Sequence, residues 1–180
     1  NYKDGDGNRV HSSFERRNQM LQLGFTPTEN TLLTGTYERS RGEAAYADRM
    51  MDGSKFDRDA WNVRFVQRNI TPWFTELELR YGQSKIDHVM DTYSMRYLSM
   101  MGNQVKKAMN PKRETNTGHL KATFDWPDIN LQIGIDYMRD KHLARMEMKG
   151  EGYTHKPYQP QQNFTQWGGF AEGALSLIHI

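Results

Sequence analysis

The stretch that decides the fold lies in residues 61–81: Trp61-Asn62-Val63-Arg64-Phe65-Val66, then Ile70-Thr71-Pro72-Trp73, then Glu76-Leu77-Glu78-Leu79-Arg80-Tyr81. Trp61, Val63 and Phe65 alternate with their neighbours, and so do Leu77, Leu79 and Tyr81. A helix would repeat its apolar residues at three and four; a spacing of two is a strand with one apolar and one polar face. Pro72 stands between the two runs, where its lack of an N–H costs no ladder bond. The stretch therefore predicts a hairpin. Leu77, Leu79 and Tyr81 occupy one face, and Glu76, Glu78 and Arg80 the other.

The same plan flanks Pro27 and Pro127. Leu21, Leu23 and Phe25 share a face opposite Gln22 and Gly24, a turn is expected over 26–30, and a return strand over 31–38. Leu120, Ala122, Phe124 and Trp126 alternate with His119, Lys121, Thr123 and Asp125. A turn over 126–130 follows, then Leu131, Ile133, Ile135 and Tyr137 opposite Gln132, Gly134, Asp136 and Met138. A last strand begins near Thr165 and includes Trp167, Gly169 and Ala171. Residues 39–58, 92–115 and 143–163 are polar and irregular and read as long loops. Short turns at one end and long loops at the other are the rhythm of an outer-membrane barrel. The fold class is all-β: an antiparallel transmembrane β-barrel fragment of about 7 strands. A soluble β-sandwich also alternates, but its loops are rarely long on one side and minimal on the other throughout. About 7 strands would not close a large barrel, so two strand edges stay open.

Composition agrees. Only 36% of the residues are hydrophobic and the mean hydropathy is −0.89. A barrel needs no more, because only alternate strand residues meet lipid. Aromatic residues make up 12%, which argues against disorder. No apolar run of ~18 residues exists to form a membrane-spanning helix. Lys and Arg total 24 against 22 Asp and Glu, a balance that points away from nucleic acid. Cysteine is absent, which removes disulfides, thiolate metal sites and cysteine nucleophiles. The chain starts at Asn1 with no signal peptide before Tyr2. Residues 175–180, Leu-Ser-Leu-Ile-His-Ile, resemble the translation of a transposon end used in sequencing libraries. The expected organisation is therefore a barrel piece over 1–174 and an artefactual tail over 175–180, with no function for His179.

Chemistry concentrates in Lys85-Ile86-Asp87-His88-Val89-Met90-Asp91-Thr92-Tyr93. Counting up from Glu76, even positions face the lumen, which places His88 and Met90 together near the loop-side end. Imidazole with thioether suits copper better than the oxygen-seeking magnesium, calcium or manganese. Methionine is 11 of 180 residues, and Met50, Met51, Met90, Met95, Met100, Met101, Met109, Met146 and Met148 gather toward the loop side. His11, His88, His119, His142 and His155 are expected there too. Exposed methionine is unusual for a residue that normally fills cores. Asp87 and His88 could form half of a hydrolase dyad, but adjacent strand residues face opposite sides. Asp4-Gly5-Asp6-Gly7-Asn8 lacks the glutamate of a calcium loop and reads as a turn.

These residues carry a resemblance. Tyr2–Val10, the stretch from Ala44 to Phe56, Asp87–Tyr93 with its D-H-V-M-D, and the stretch from Leu131 to His142 are similar to the TonB-dependent copper receptors. W-G-G-F-A-E-G from Trp167 resembles a strand of TonB-dependent receptors generally. The resemblance implies an outer-membrane receptor of a Gram-negative bacterium, not an enzyme, with about 22 strands around a plug. It implies copper as the transported ion, taken up with energy from the TonB complex acting through a plug that these residues do not include. His88 and Met90 are the two copper ligands it carries over, and further sulfur ligands would come from the plug. The remaining readings are a receptor for a siderophore or other metal chelate and, from another class, an outer-membrane hydrolase.

Overall fold

The structure is a computed structural model that describes residues 2–96 and 106–176. A two-stranded hairpin comes first, β1 (Tyr2–Lys3) with β2 (Arg9–Val10). Seven long strands follow: β3 (Ser13–Thr28), β4 (Thr31–Ala45), β5 (Asp52–Arg68), β6 (Phe74–Asp91), β7 (Ala108–Asp125), β8 (Ile129–Glu147) and β9 (Gln159–Leu175). They form one open antiparallel meander in chain order, with β3 and β9 at its edges. The sheet is part of a barrel-type fold and is not closed. No helix among the described residues is long and apolar enough to cross a membrane.

Register sorts the side chains into horizontal rows, one residue per strand. One apolar row runs Phe25–Leu33–Phe65–Leu79–Leu120–Ile135–Gly169. The row above it runs Leu23–Gly35–Val63–Tyr81–Gly118–Tyr137–Trp167. Leu23, Leu79, Tyr81, Ile135 and Trp167 are all exposed. Aromatic rings bound this face at both ends. Trp61–Tyr81 and Tyr137–Trp167 pair at the upper end, with centroids 5.5 and 4.7 Å apart. Trp73, Phe124 and Trp126 stack at the turn end. From Gly118 down to Trp126 the strand runs about 27 Å. A tilted strand of that length covers most of an apolar band about 25 Å tall.

The opposite face is polar. Glu78 is buried between Arg64, whose Nη2 donates to it at 2.9 Å, and Arg80. Lys121 pairs with Glu76, and His119 with Asp136. Both faces therefore follow the period-two reading, Glu76, Glu78, Arg80 and Asp136 standing opposite the leucine and isoleucine rows.

The three short turns touch one another at one end. Asn69 Nδ2 donates to Asn30 Oδ1 at 2.8 Å, and the Asp125 N–H donates to the Trp73 carbonyl at 3.0 Å. The first is tighter than expected: Pro27 sits inside β3, at an irregular step between Phe25 and Thr28, and only Glu29 and Asn30 turn.

The long loops need correcting. Strands occupy most of 39–58, since β4 runs to Ala45 and β5 starts at Asp52, which leaves 46–51 as the link. β7 begins at Ala108, β8 runs to Glu147 and β9 begins at Gln159. The reason is electrostatic. Above the aromatic rows both faces are wet, so apolar alternation stops while the ladder continues. Arg41 with Asp57 and Asp59, Lys55 with Asp87, and Lys112 with Asp87 pair across the strands there. Such cross-strand pairs stabilise a sheet without any apolar signal. Met100, Met101 and His179 lie outside the described residues.

Candidate metal-binding site at the loop end of the polar face

His88 and Met90 lie on β6 on the same face as Glu76, Glu78 and Arg80, about 7 Å apart along the strand. The His88 ring packs on Phe56, its partner in register on β5, with centroids 4.3 Å apart. Its Nε2 is buried and has no hydrogen-bond partner among the described residues. Burial holds the imidazole below its ordinary pKa, and the charge of Asp87 only partly opposes this. Burial thus favours the neutral ring, in which one of the two nitrogens carries a lone pair.

The backbone around His88 is built by residues that give no signal alone. Pro111 falls opposite His88 on β7, between the pairs Asp87↔Lys112 and Met90↔Met109, and has no N–H to offer. The fully buried Asn110 supplies the missing donor: its Nδ2 bonds the His88 carbonyl at 2.8 Å and Asp87 Oδ1 at 2.6 Å. Its Oδ1 accepts from Arg145 Nε and Tyr158 Oη. On β5 a bulge at Ser54 brings Gly53 opposite Met90. The Phe56 ring lies over Gly53 so closely that a Cβ there would meet it at 2.0 Å. Gly53→Val should therefore push Phe56 away and release the stack on His88. A changed His88 environment by NMR, with the sheet intact, would be the sign; an unchanged one would contradict it.

Register adds two sulfurs. Met90 pairs with Met109 on β7, and Met109 pairs with Met146 on β8. Three thioethers thus stand side by side on adjacent strands, beside the His88 level, on the polar face. Beneath them the wall carries Arg113, which donates to Asp140 at 2.5–3.0 Å and holds that buried carboxyl down to about 2, with His142 and Thr115 assisting. A cavity of about 300 Å³ opens beside His88 and Phe56, toward Phe14, Tyr46 and Ile86.

Asp87 faces away from His88, toward Lys55 and Lys112, so the two form no hydrolase dyad. His142 stands in the loop-side part of β8 opposite Arg113, as expected, whereas His119 stands mid-strand in β7 opposite Asp136. Asp4 Oδ1 accepts the N–H groups of Asp6 and Asn8, which closes the expected turn. Among the described residues no group of three or more His, Cys, Asp or Glu could hold a metal. What this end of the polar face carries is thioether and imidazole side chains, His88 and His142 among them.

The fold defines a piece of a barrel-type wall, with methionine and histidine side chains at its loop end. Among solved structures the chain is similar to one titled "Copper transporter OprC". The two are 34% identical with a TM-score of 0.87, over 97% of this chain and 28% of that one. The chain is a remote homologue of that protein and spans about a quarter of its length. No protein-family model and no curated protein sequence matches the chain.

Proposed function

We propose that residues 1–174 form part of the barrel of an outer-membrane, TonB-dependent receptor that takes up copper in a Gram-negative bacterium. Similarity to a copper transporter supports the setting. The observation that carries the cargo is the row Met90–Met109–Met146 beside a buried, unpartnered His88 Nε2. His88 and Met90 are the primary pair, and Met109 and Met146 extend the thioether surface across two more strands. Copper is the substrate of this site. A thioether is neutral, so the row attracts a soft cation without the carboxylates that would hold calcium or magnesium. Two ligands from the wall bind weakly alone; a plug in the complete receptor, also the point of contact with TonB, would complete the coordination.

The test is metal content of the full-length receptor after purification. His88→Ala with Met90→Leu should remove most of the bound copper while leaving barrel assembly unchanged, since leucine keeps the volume of methionine. Met109→Leu with Met146→Leu should slow loading and leave the final content closer to wild type. Unchanged copper in the first variant would remove this site.

A further inference from the structure

One step above Tyr81, Tyr137 and Trp167, the outward face carries the row Leu21–Tyr37–Trp61–Gln83–Asn116–Arg139–Thr165. The next is Gln19–Arg39–Asp59–Lys85–Glu114–Lys141–Asn163, in which cations and carboxylates alternate. Most outward cations at this level are used. Arg41 binds Asp57 and Asp59; Lys55 and Lys112 share Asp87; Lys85 reaches Glu114 at 3.9 Å. Arg139 and Lys141 differ. They are exposed, two residues apart on the same face of β8, and neither has an ion pair or hydrogen bond with a described residue. Arg139 is flanked by Asn116 and Thr165, and Lys141 by Glu114 and Asn163. Glu114, opposite Lys141, pairs with Lys85 instead. Directly below lie Tyr137 and Trp167 with their rings packed together.

We propose that Arg139 and Lys141, over the Tyr137–Trp167 pair, bind the phosphate of a phosphorylated glycolipid in the outer leaflet. The inference rests on the membrane reading above. Aromatic pairs of this kind mark the level where acyl chains give way to headgroups. Two unpaired cations at that level, one with the forked donors of a guanidinium, present +2 where a headgroup phosphate lies. Glu114 reduces that field only in part, because Lys85 stands on its other side. Asn163 and Thr165 on β9 are exposed polar neighbours suited to the sugar hydroxyls. Arg39, which at this level also has no ion pair or hydrogen bond with a described residue, stands four strands away, about 19 Å across the sheet. The unpaired charge is concentrated on β8.

The experiment uses the full-length receptor reconstituted in phosphatidylcholine bilayers doped with bisphosphorylated lipid A or with the same lipid stripped of its phosphates. Retention through detergent exchange is read by native mass spectrometry. Wild type should retain the phosphorylated form roughly ten- to thirtyfold better than the dephosphorylated form, and Arg139→Gln with Lys141→Gln should abolish the difference. Equal retention of both forms by wild type, or an unchanged preference in the double variant, overturns the proposal. Displacement by millimolar inorganic phosphate would assign the pair to free phosphate and overturn the lipid source. Failure of wild type to insert, read by heat-modifiable gel migration, would instead overturn the membrane reading on which this rests.

Discussion

Asp52→Ala should cost the loop-side rim of the sheet about 3–5 kcal/mol, because it leaves a buried guanidinium without its counter-charge. Asp52 is fully buried, and the side chain of Arg96 is 6% exposed. Arg96 Nε donates to Asp52 Oδ2 at 2.8 Å and Nη2 reaches Oδ1, while the other Asp52 partners are His11 and the Tyr46 N–H. Arg96 also donates to the carbonyls of Tyr46 and Arg49. One carboxylate therefore ties the segment after β2, the 46–51 link and the segment after β6. Burial pushes this carboxyl up, but the bonds from Arg96, Tyr46 and His11 outweigh it and hold its pKa below the ordinary value. The sign follows. A carboxyl depressed on folding contributes its stability above the unfolded-state pKa of about 4 and loses it as pH falls through the lower, folded value. The clamp should thus be intact at neutral pH and fail only in strong acid. Hydrogen exchange at the Tyr46 amide checks both statements: the variant should exchange roughly a hundredfold faster or more, with the centre of the sheet still protected. Unchanged Tyr46 exchange would show that Asp52 does not bear the clamp.

Leu79→Arg should impair assembly by about 2–4 kcal/mol, the cost of a cation near the midplane on a lipid-facing barrel surface. Leu79 lies in the middle apolar row, between Phe65 and Leu120, and is 42% exposed. The same charge at Asn62, on the polar face one strand away, should cost far less. Folding into lipid vesicles measures the difference. Equal yields for the two variants would mean that the faces have been assigned the wrong way round.

The central half of each strand was legible because one face is apolar and the other polar; period two follows directly. The upper halves were not. Between Arg39 and Ala45, or Lys55 and Asp59, both faces are charged and the register is carried by pairs such as Arg41–Asp59, which no single strand reveals. His88 and Met90 were legible as a pair because they share one strand. Their setting was not, since Met109 and Met146 join Met90 only through the pairing of β6, β7 and β8. Asn110 was also hidden, because its role depends on the proline beside it in sequence standing opposite His88 in space. Composition and a strand period give faces; lateral neighbours come only from register.

The substitution of Asn110 for a ladder bond has a mechanical consequence. Elsewhere on β6 a strand residue cannot shift without shearing the backbone of its neighbour. At His88 the carbonyl is held by a side-chain amide, itself buried and fixed by bonds with Asp87, Arg145 and Tyr158. The position of His88 is therefore tied to the packing around Asn110 rather than to a backbone donor of β7.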